Sequence, residues 1–110
     1  MKRLWSRMGL LTLLTCEVIT VYSSSAVAQD AAAPYKAKCA MCHGADGKGS
    51  SMGMQMGVHD FTSAEVQGQS DLQLTVTITK GKGKMPSYDG KLKDADITGL
   101  VAYIRSLATK

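Results

Sequence analysis

Residues 39–43 read Cys-Ala-Met-Cys-His. Two thiols three positions apart on one helical turn face the same way, and an imidazole follows at once. A Cys-x-x-Cys pair can serve as an oxidisable dithiol or as half of a zinc site; with His next, it can join one haem through thioether bonds. A zinc site needs about four ligands, and beyond this segment His59 is the other strong candidate. A thioredoxin-type pair belongs in a βαβ pattern, which the sequence lacks. Haem attachment is therefore the expected chemistry. Cys39 and Cys42 would form the thioethers, and His43 would present its imidazole to the iron from the same side.

A second axial ligand must then come from elsewhere in the chain. The candidates are Met52, Met54, Met56, His59 and Met85. The three methionines at 52–56 lie soon after His43 in a Gly- and Ser-rich stretch, where flexible apolar filler is the plainer explanation. Met85 stands in Gly81-Lys82-Gly83-Lys84-Met85-Pro86. There the glycines let the backbone wrap closely and Pro86 fixes the chain direction just after the sulfur. A thioether is soft and neutral, so it favours ferrous iron and raises the reduction potential relative to a second imidazole. Met85 is the expected sixth ligand, with His59 as the alternative.

The elements that must hold these groups are short. Pro34 suits a first helical turn, and Ala31, Tyr35 and Cys39 are spaced by four, along one helical face. Residues 44–57 show no periodicity and read as an irregular loop. Thr62 with Glu65 three residues on predicts a capped helix start. Residues 72–79 alternate apolar and polar with β-branched side chains, the period of a strand. Ser70 with Gln73 nevertheless makes a capping box, Gly81 could close a helix, and a lone strand would find no partner. A helix is expected there. Ile97, Leu100, Val101, Ile104 and Leu107 follow the three-and-four spacing of an amphipathic helix over 94–109.

The 110 residues allow one domain. A basic start (Lys2, Arg3, Arg7), an apolar stretch over 8–22 and small residues ending Ala26-Val27-Ala28 form the three parts of a secretory signal peptide. Cleavage after Ala28 would leave residues 29–110. The apolar run is short of the roughly 20 residues a spanning helix needs, so no stable membrane insertion is expected after cleavage. Cys16, after Leu13-Leu14-Thr15, has part of a lipoprotein cleavage pattern, with Thr15 a poor fit. The remaining chain has Phe61 as its single phenylalanine and no tryptophan. A domain so small and so poor in aromatics usually needs a staple, and a buried porphyrin would be one. The formal charge of +4 carries no dense Lys/Arg field of the kind a nucleic-acid binder shows. Instead Lys80, Lys82, Lys84, Lys91 and Lys93 bracket Met85, a possible docking rim for acidic redox partners.

With the Cys39–His43 motif and Gly44, the Gly81–Pro86 loop and Leu100-Val101-Ala102-Tyr103-Ile104 in this order, the chain resembles the class I c-type cytochromes over nearly all of residues 31–109. The resemblance implies an all-α fold of three to five short helices around one covalently bound haem c, with Ala31 and Tyr35 meeting Tyr103 where first and last helices cross. It implies a monomeric electron carrier that is not itself an enzyme, its iron cycling between Fe(III) and Fe(II) with His43 and Met85 bound, and the leader would send it to the periplasm or another exported compartment. One feature departs from the family. Many members have a proline after the motif, at the carbonyl that accepts the proximal imidazole N–H; here Pro34 and Pro86 are the only prolines, and no acceptor for His43 can be named. A gas sensor or peroxidase-like enzyme would need a labile sixth position, with Met85 off the iron. A subunit of a larger oxidoreductase is a further alternative.

Overall fold

The computed structural model describes residues 30–110. The expected signal peptide and Cys16 lie outside the described residues. Six helical segments follow in order: α1 (Ala32–Lys38), α2 (Ala40–His43), α3 (Ser51–Gln55), α4 (Ala64–Gln67), α5 (Asp71–Lys80) and α6 (Asp94–Leu107). Among the described residues there is no strand, only an isolated antiparallel pairing of Lys82 with Met85. No helix among them is long and apolar enough to cross a membrane.

The long helices start where their sequences provide caps. At α5, Ser70 Oγ accepts from the Gln73 N–H at 3.1 Å and Gln73 Oε1 accepts from the Ser70 N–H at 2.8 Å. This reciprocal box satisfies two of the orphan donors of a first turn. Gly81, at φ +74°, ends the helix. At α6 the Asp96 carboxylate accepts from the Lys93 N–H, and Asp94 and Asp96 sit at the positive end of the helix dipole.

The alternating apolar residues of α5 divide between two faces. Leu74 and Ile78 are buried while Leu72 and Val76 are exposed. Each pair is spaced by four, so a period-two pattern becomes two helical stripes, of which one meets the core. Ile97, Leu100, Val101, Ile104 and Leu107 of α6 are buried, together with Gly99. The helix α6 packs on both α5 and α1. At the α1 crossing the Tyr35 and Tyr103 rings lie 4.6 Å apart, and Ala31 joins Tyr35 in the core.

Two local expectations are corrected. Ser63, not Thr62, caps α4, accepting from the Val66 N–H. Asp60 takes the Thr62 hydroxyl and N–H on its carboxylate, at 2.7 and 2.8 Å, which removes Thr62 from the cap. The expected irregular loop over 44–57 contains α3, because Ser50 caps it by accepting from the Gly53 N–H at 3.0 Å.

Candidate functional site

The turn carrying the motif is held by its carbonyls. Cys39 O accepts from the N–H groups of Cys42 and His43, at 3.2 and 2.9 Å. Gly44 then closes the turn at φ +78°. The chain doubles back over it: Met41 O accepts from the Ser50 hydroxyl at 2.6 Å. Cys42 O accepts from the Ser50 N–H at 2.9 Å, and His43 O from the Gly49 N–H at 2.8 Å. Gly44 O accepts from the buried Tyr35 hydroxyl at 2.7 Å. A side chain at Gly53 would put its Cβ 1.8 Å from Cys42 O, so α3 can cross the motif only through a glycine. Four successive carbonyls from 41 to 44 are thus tied down, which fixes the backbone that carries the thiols and the imidazole.

Met85 is brought in by a different device. After Gly81 the chain makes a tight reversal, with Met85 N–H donating to Lys82 O at 2.9 Å and Lys82 N–H to Met85 O at 3.2 Å. A Cβ at Gly81 would stand 2.6 Å from Met85 O, so the close wrap expected of these glycines is required at this position. The loop is anchored to the end of α5 by Tyr88 N–H to Ile78 O and Asp89 N–H to Thr79 O. The Tyr88 hydroxyl donates to Lys38 O, just before Cys39, at 3.0 Å.

These devices deliver Cys39, Cys42, His43 and Met85 to one cavity of about 320 Å³. Its remaining wall is largely apolar, with Val58, Phe61, Val66, Leu74, Ile78 and Ile104. Both cysteines are unpaired thiols. Burial, opposed by Lys38 and reinforced by Cys42, pushes the Cys39 thiol up to about 11. A dithiol redox enzyme instead lowers its attacking thiol to make thiolate at neutral pH, the opposite direction from the shift at Cys39. Among the described residues no group of three His, Cys, Asp or Glu converges as a metal site. Burial first, and then His59, holds His43 below the ordinary histidine range, which keeps the imidazole neutral, the form that binds metals. Free thiols, a neutral imidazole and a thioether on one apolar cleft fit a covalently attached haem.

His59 also reaches the cavity, but its Nδ1 is paired with the Glu65 carboxylate at 3.3 Å and its side chain is 58% exposed. Of the 52–56 methionines only Met56 lines the cavity. The lysine rim differs from expectation. Lys82 and Lys84 line the cavity, whereas Lys80, Lys91 and Lys93 do not. Lys38, which sequence spacing did not single out, takes a place there because Tyr88 ties the Met85 loop to the end of α1. Phe61 was missed as well. Its ring stacks on His43 with centroids 4.3 Å apart, and nothing local in the sequence signals that contact.

Comparison with known proteins agrees with this geometry. The family described as cytochrome C oxidase, cbb3-type, subunit III matches residues 26–104. Cytochrome c6 of Picosynechococcus sp. is 33% identical over 107 residues, covering 89% of this chain and 91% of that protein. The cbb3-type cytochrome c oxidase subunit CcoP of Azospirillum brasilense is 33% identical over 88 residues, 77% of this chain. The chain spans 30% of the length of that subunit. Among solved structures, the KustC0563 c-type cytochrome superposes with a TM-score of 0.66 at 29% identity, covering 70% of this chain and 95% of the other.

Proposed function

Because the chain belongs to the c-type cytochromes, in the family of cbb3-type oxidase subunit III, and carries haem c for electron transfer, we propose that it is a single-haem carrier in which His43 and Met85 would ligate the iron and Cys39 and Cys42 would attach the haem. The observation that carries this reading is the convergence of these four side chains, from the motif turn and the loop after α5, on one apolar cavity. When bound, the haem supplies a one-electron Fe(III)/Fe(II) couple.

The chain's own contribution is attachment, ligation and exclusion of water. Tied carbonyls from 41 to 44 hold the His43 side rigid, and the Gly81 reversal holds Met85. Segments held this firmly would have little to rearrange between the two oxidation states of a bound haem. Val66, Leu74, Ile78 and Ile104 form an apolar wall, which would disfavour the extra charge of ferric haem and add to the effect of the thioether on potential. No general base or nucleophile is needed, so the carrier itself performs no bond-making chemistry.

The protein is exported, its first 28 residues acting as a signal peptide, and residues 29–110 form the working domain. Its partners dock at the rim where Lys38, Lys82 and Lys84 reach the cavity. Exposed Met41 and Met56 add apolar surface near the motif. Acidic partner surfaces would be steered to this rim.

Replacement of Met85 tests the ligand set. Met85→Ala should open the iron to carbon monoxide and added imidazole, abolish the methionine–iron charge-transfer band and lower the potential. His59→Ala should leave all three unchanged; if it moves them and Met85→Ala does not, the assignment is wrong. A second reading is favoured by the family description and by the CcoP similarity: the chain acts as an electron-entry module of a larger oxidase. Co-purification of a tagged chain with oxidase subunits from membranes would support it, and a chain recovered alone would not.

A further inference from the structure

The backbone of His43 is fixed by the motif turn, but its ring can rotate unless something holds it. An axial imidazole is ordinarily held by a hydrogen bond from its second nitrogen to a carbonyl, carboxylate or water. In this protein His43 Nδ1 is buried and has no hydrogen-bond partner among the described residues. The carbonyls next to it in sequence are engaged elsewhere, His43 O with the Gly49 N–H and Gly44 O with the Tyr35 hydroxyl.

The imidazole rests instead on Phe61. The two rings are near-parallel, with centroids 4.3 Å apart and planes 22° from each other. Edge-to-face aromatic contacts need wider spacing, so at this separation the imidazole has no room to turn its edge into the Phe61 face. Phe61 is clamped in turn. Its N–H donates to Gly47 O at 2.8 Å, its carbonyl accepts from the Gln67 amide, and the Tyr35 ring meets it at 62° with centroids 6.5 Å apart. Gly47 makes room for it, since a Cβ there would stand 3.1 Å from Phe61 Cβ and Cδ2.

We propose that Phe61 is the positioning residue for His43: its clamped ring sets the plane in which the imidazole meets the iron, in place of a hydrogen bond to Nδ1. The proposal rests on the reading of His43 as an iron ligand. It fits a His43 Nδ1 with no acceptor among the described residues, because orientation by a flat face needs none. It also leaves the imidazole without the acceptor that would raise its basicity.

Proton NMR of the oxidised holoprotein tests it. Strongly shifted ring protons assigned to His43 first establish ligation, and their absence would show that the ligand reading has failed rather than the role of Phe61. With ligation established, the order of the shifted haem-methyl resonances reports the axial ligand planes. Phe61→Leu, which keeps apolar bulk but removes the flat face, should reorder the methyls; Phe61→Tyr, which keeps the face, should restore the native order. If Phe61→Leu does not take up haem, Phe61→Met removes the face more gently and is read the same way. A native methyl order in the variant lacking the face overturns the proposal. So does a scalar coupling in the wild-type protein from the His43 Nδ1–H to a backbone carbonyl carbon.

Discussion

Tyr35→Phe removes one oxygen from the centre of the fold and leaves the ring in place. Tyr35 is 2% exposed, and its hydroxyl donates to Gly44 O at 2.7 Å, one residue past His43. The ring contacts with Tyr103 and Phe61 need no hydroxyl, so the variant isolates the hydrogen bond. Gly44 O keeps the Gly47 N–H at 3.2 Å, so the variant loses one neutral hydrogen bond without orphaning the carbonyl, at a cost of about 1 kcal/mol. For a domain of this size that corresponds to a drop in Tm of about 4–8 °C. Guanidinium unfolding of the oxidised holoprotein, followed by far-ultraviolet circular dichroism and by the Soret band, gives the number directly. A pH series adds a second check. Burial, the largest cause, raises the Tyr35 phenol above the ordinary tyrosine range. The native state therefore holds this proton more tightly than the unfolded chain does. Its contribution is complete below about pH 10 and declines as pH rises above that value. Tyr35→Phe should lose that alkaline decline together with the stability. A variant within about 0.5 kcal/mol of wild type, the spread of neutral substitutions, and with the same alkaline slope, would refute the role given to the hydroxyl.

Further outcomes follow from other contacts. Gly81→Ala meets both a left-handed φ of +74° and a Cβ contact of 2.6 Å with Met85 O; the strain of about 1–2 kcal/mol should loosen the Met85 loop and raise imidazole affinity about tenfold, read by optical titration. Arg105 donates to Gln67 O, Gln69 O and the Asp71 carboxylate, stapling the α4–α5 connection to α6. Arg105→Met should cost about 2–4 kcal/mol in denaturant unfolding through the half-buried carbonyls, whereas Asp71→Asn, touching an ion pair whose acidic partner is 78% exposed, should cost under about 1 kcal/mol. Reversing Lys38, Lys82 and Lys84 to Glu should slow second-order electron transfer to an acidic partner at low salt, with the gap from wild type closing as ionic strength shortens the screening length below about 8 Å.

The chemistry that is local in the chain was legible from residue order alone. Cys39, Cys42 and His43 are contiguous on one turn, so helix geometry alone places them together. The Ser70/Gln73 box and Gly81 are likewise local, and they settled α5 as a helix against its strand-like alternation. Which of its two apolar stripes would be buried was not legible, because Leu72/Val76 and Leu74/Ile78 are chemically equivalent until α6 packs on one of them. The α4 cap was misplaced for a similar reason: Thr62 and Ser63 both have hydroxyls, and the choice depended on where the Asp60 carboxylate turned.

The surroundings of the cofactor site depend on packing between distant segments. Lys38 joins the cavity rim because Tyr88, fifty positions away, bonds its carbonyl, while Lys80, Lys91 and Lys93 fall away from the cavity though they are nearer to Met85 in sequence than Lys38. Phe61 reaches His43 because Gly47 lacks a side chain and Gln67 and Tyr35 hold the ring from other elements. Periodicity and capping act over a few residues and can be read from spacing. Contacts across loops depend on where several helices come to rest at once, and the order of residues does not carry that information locally.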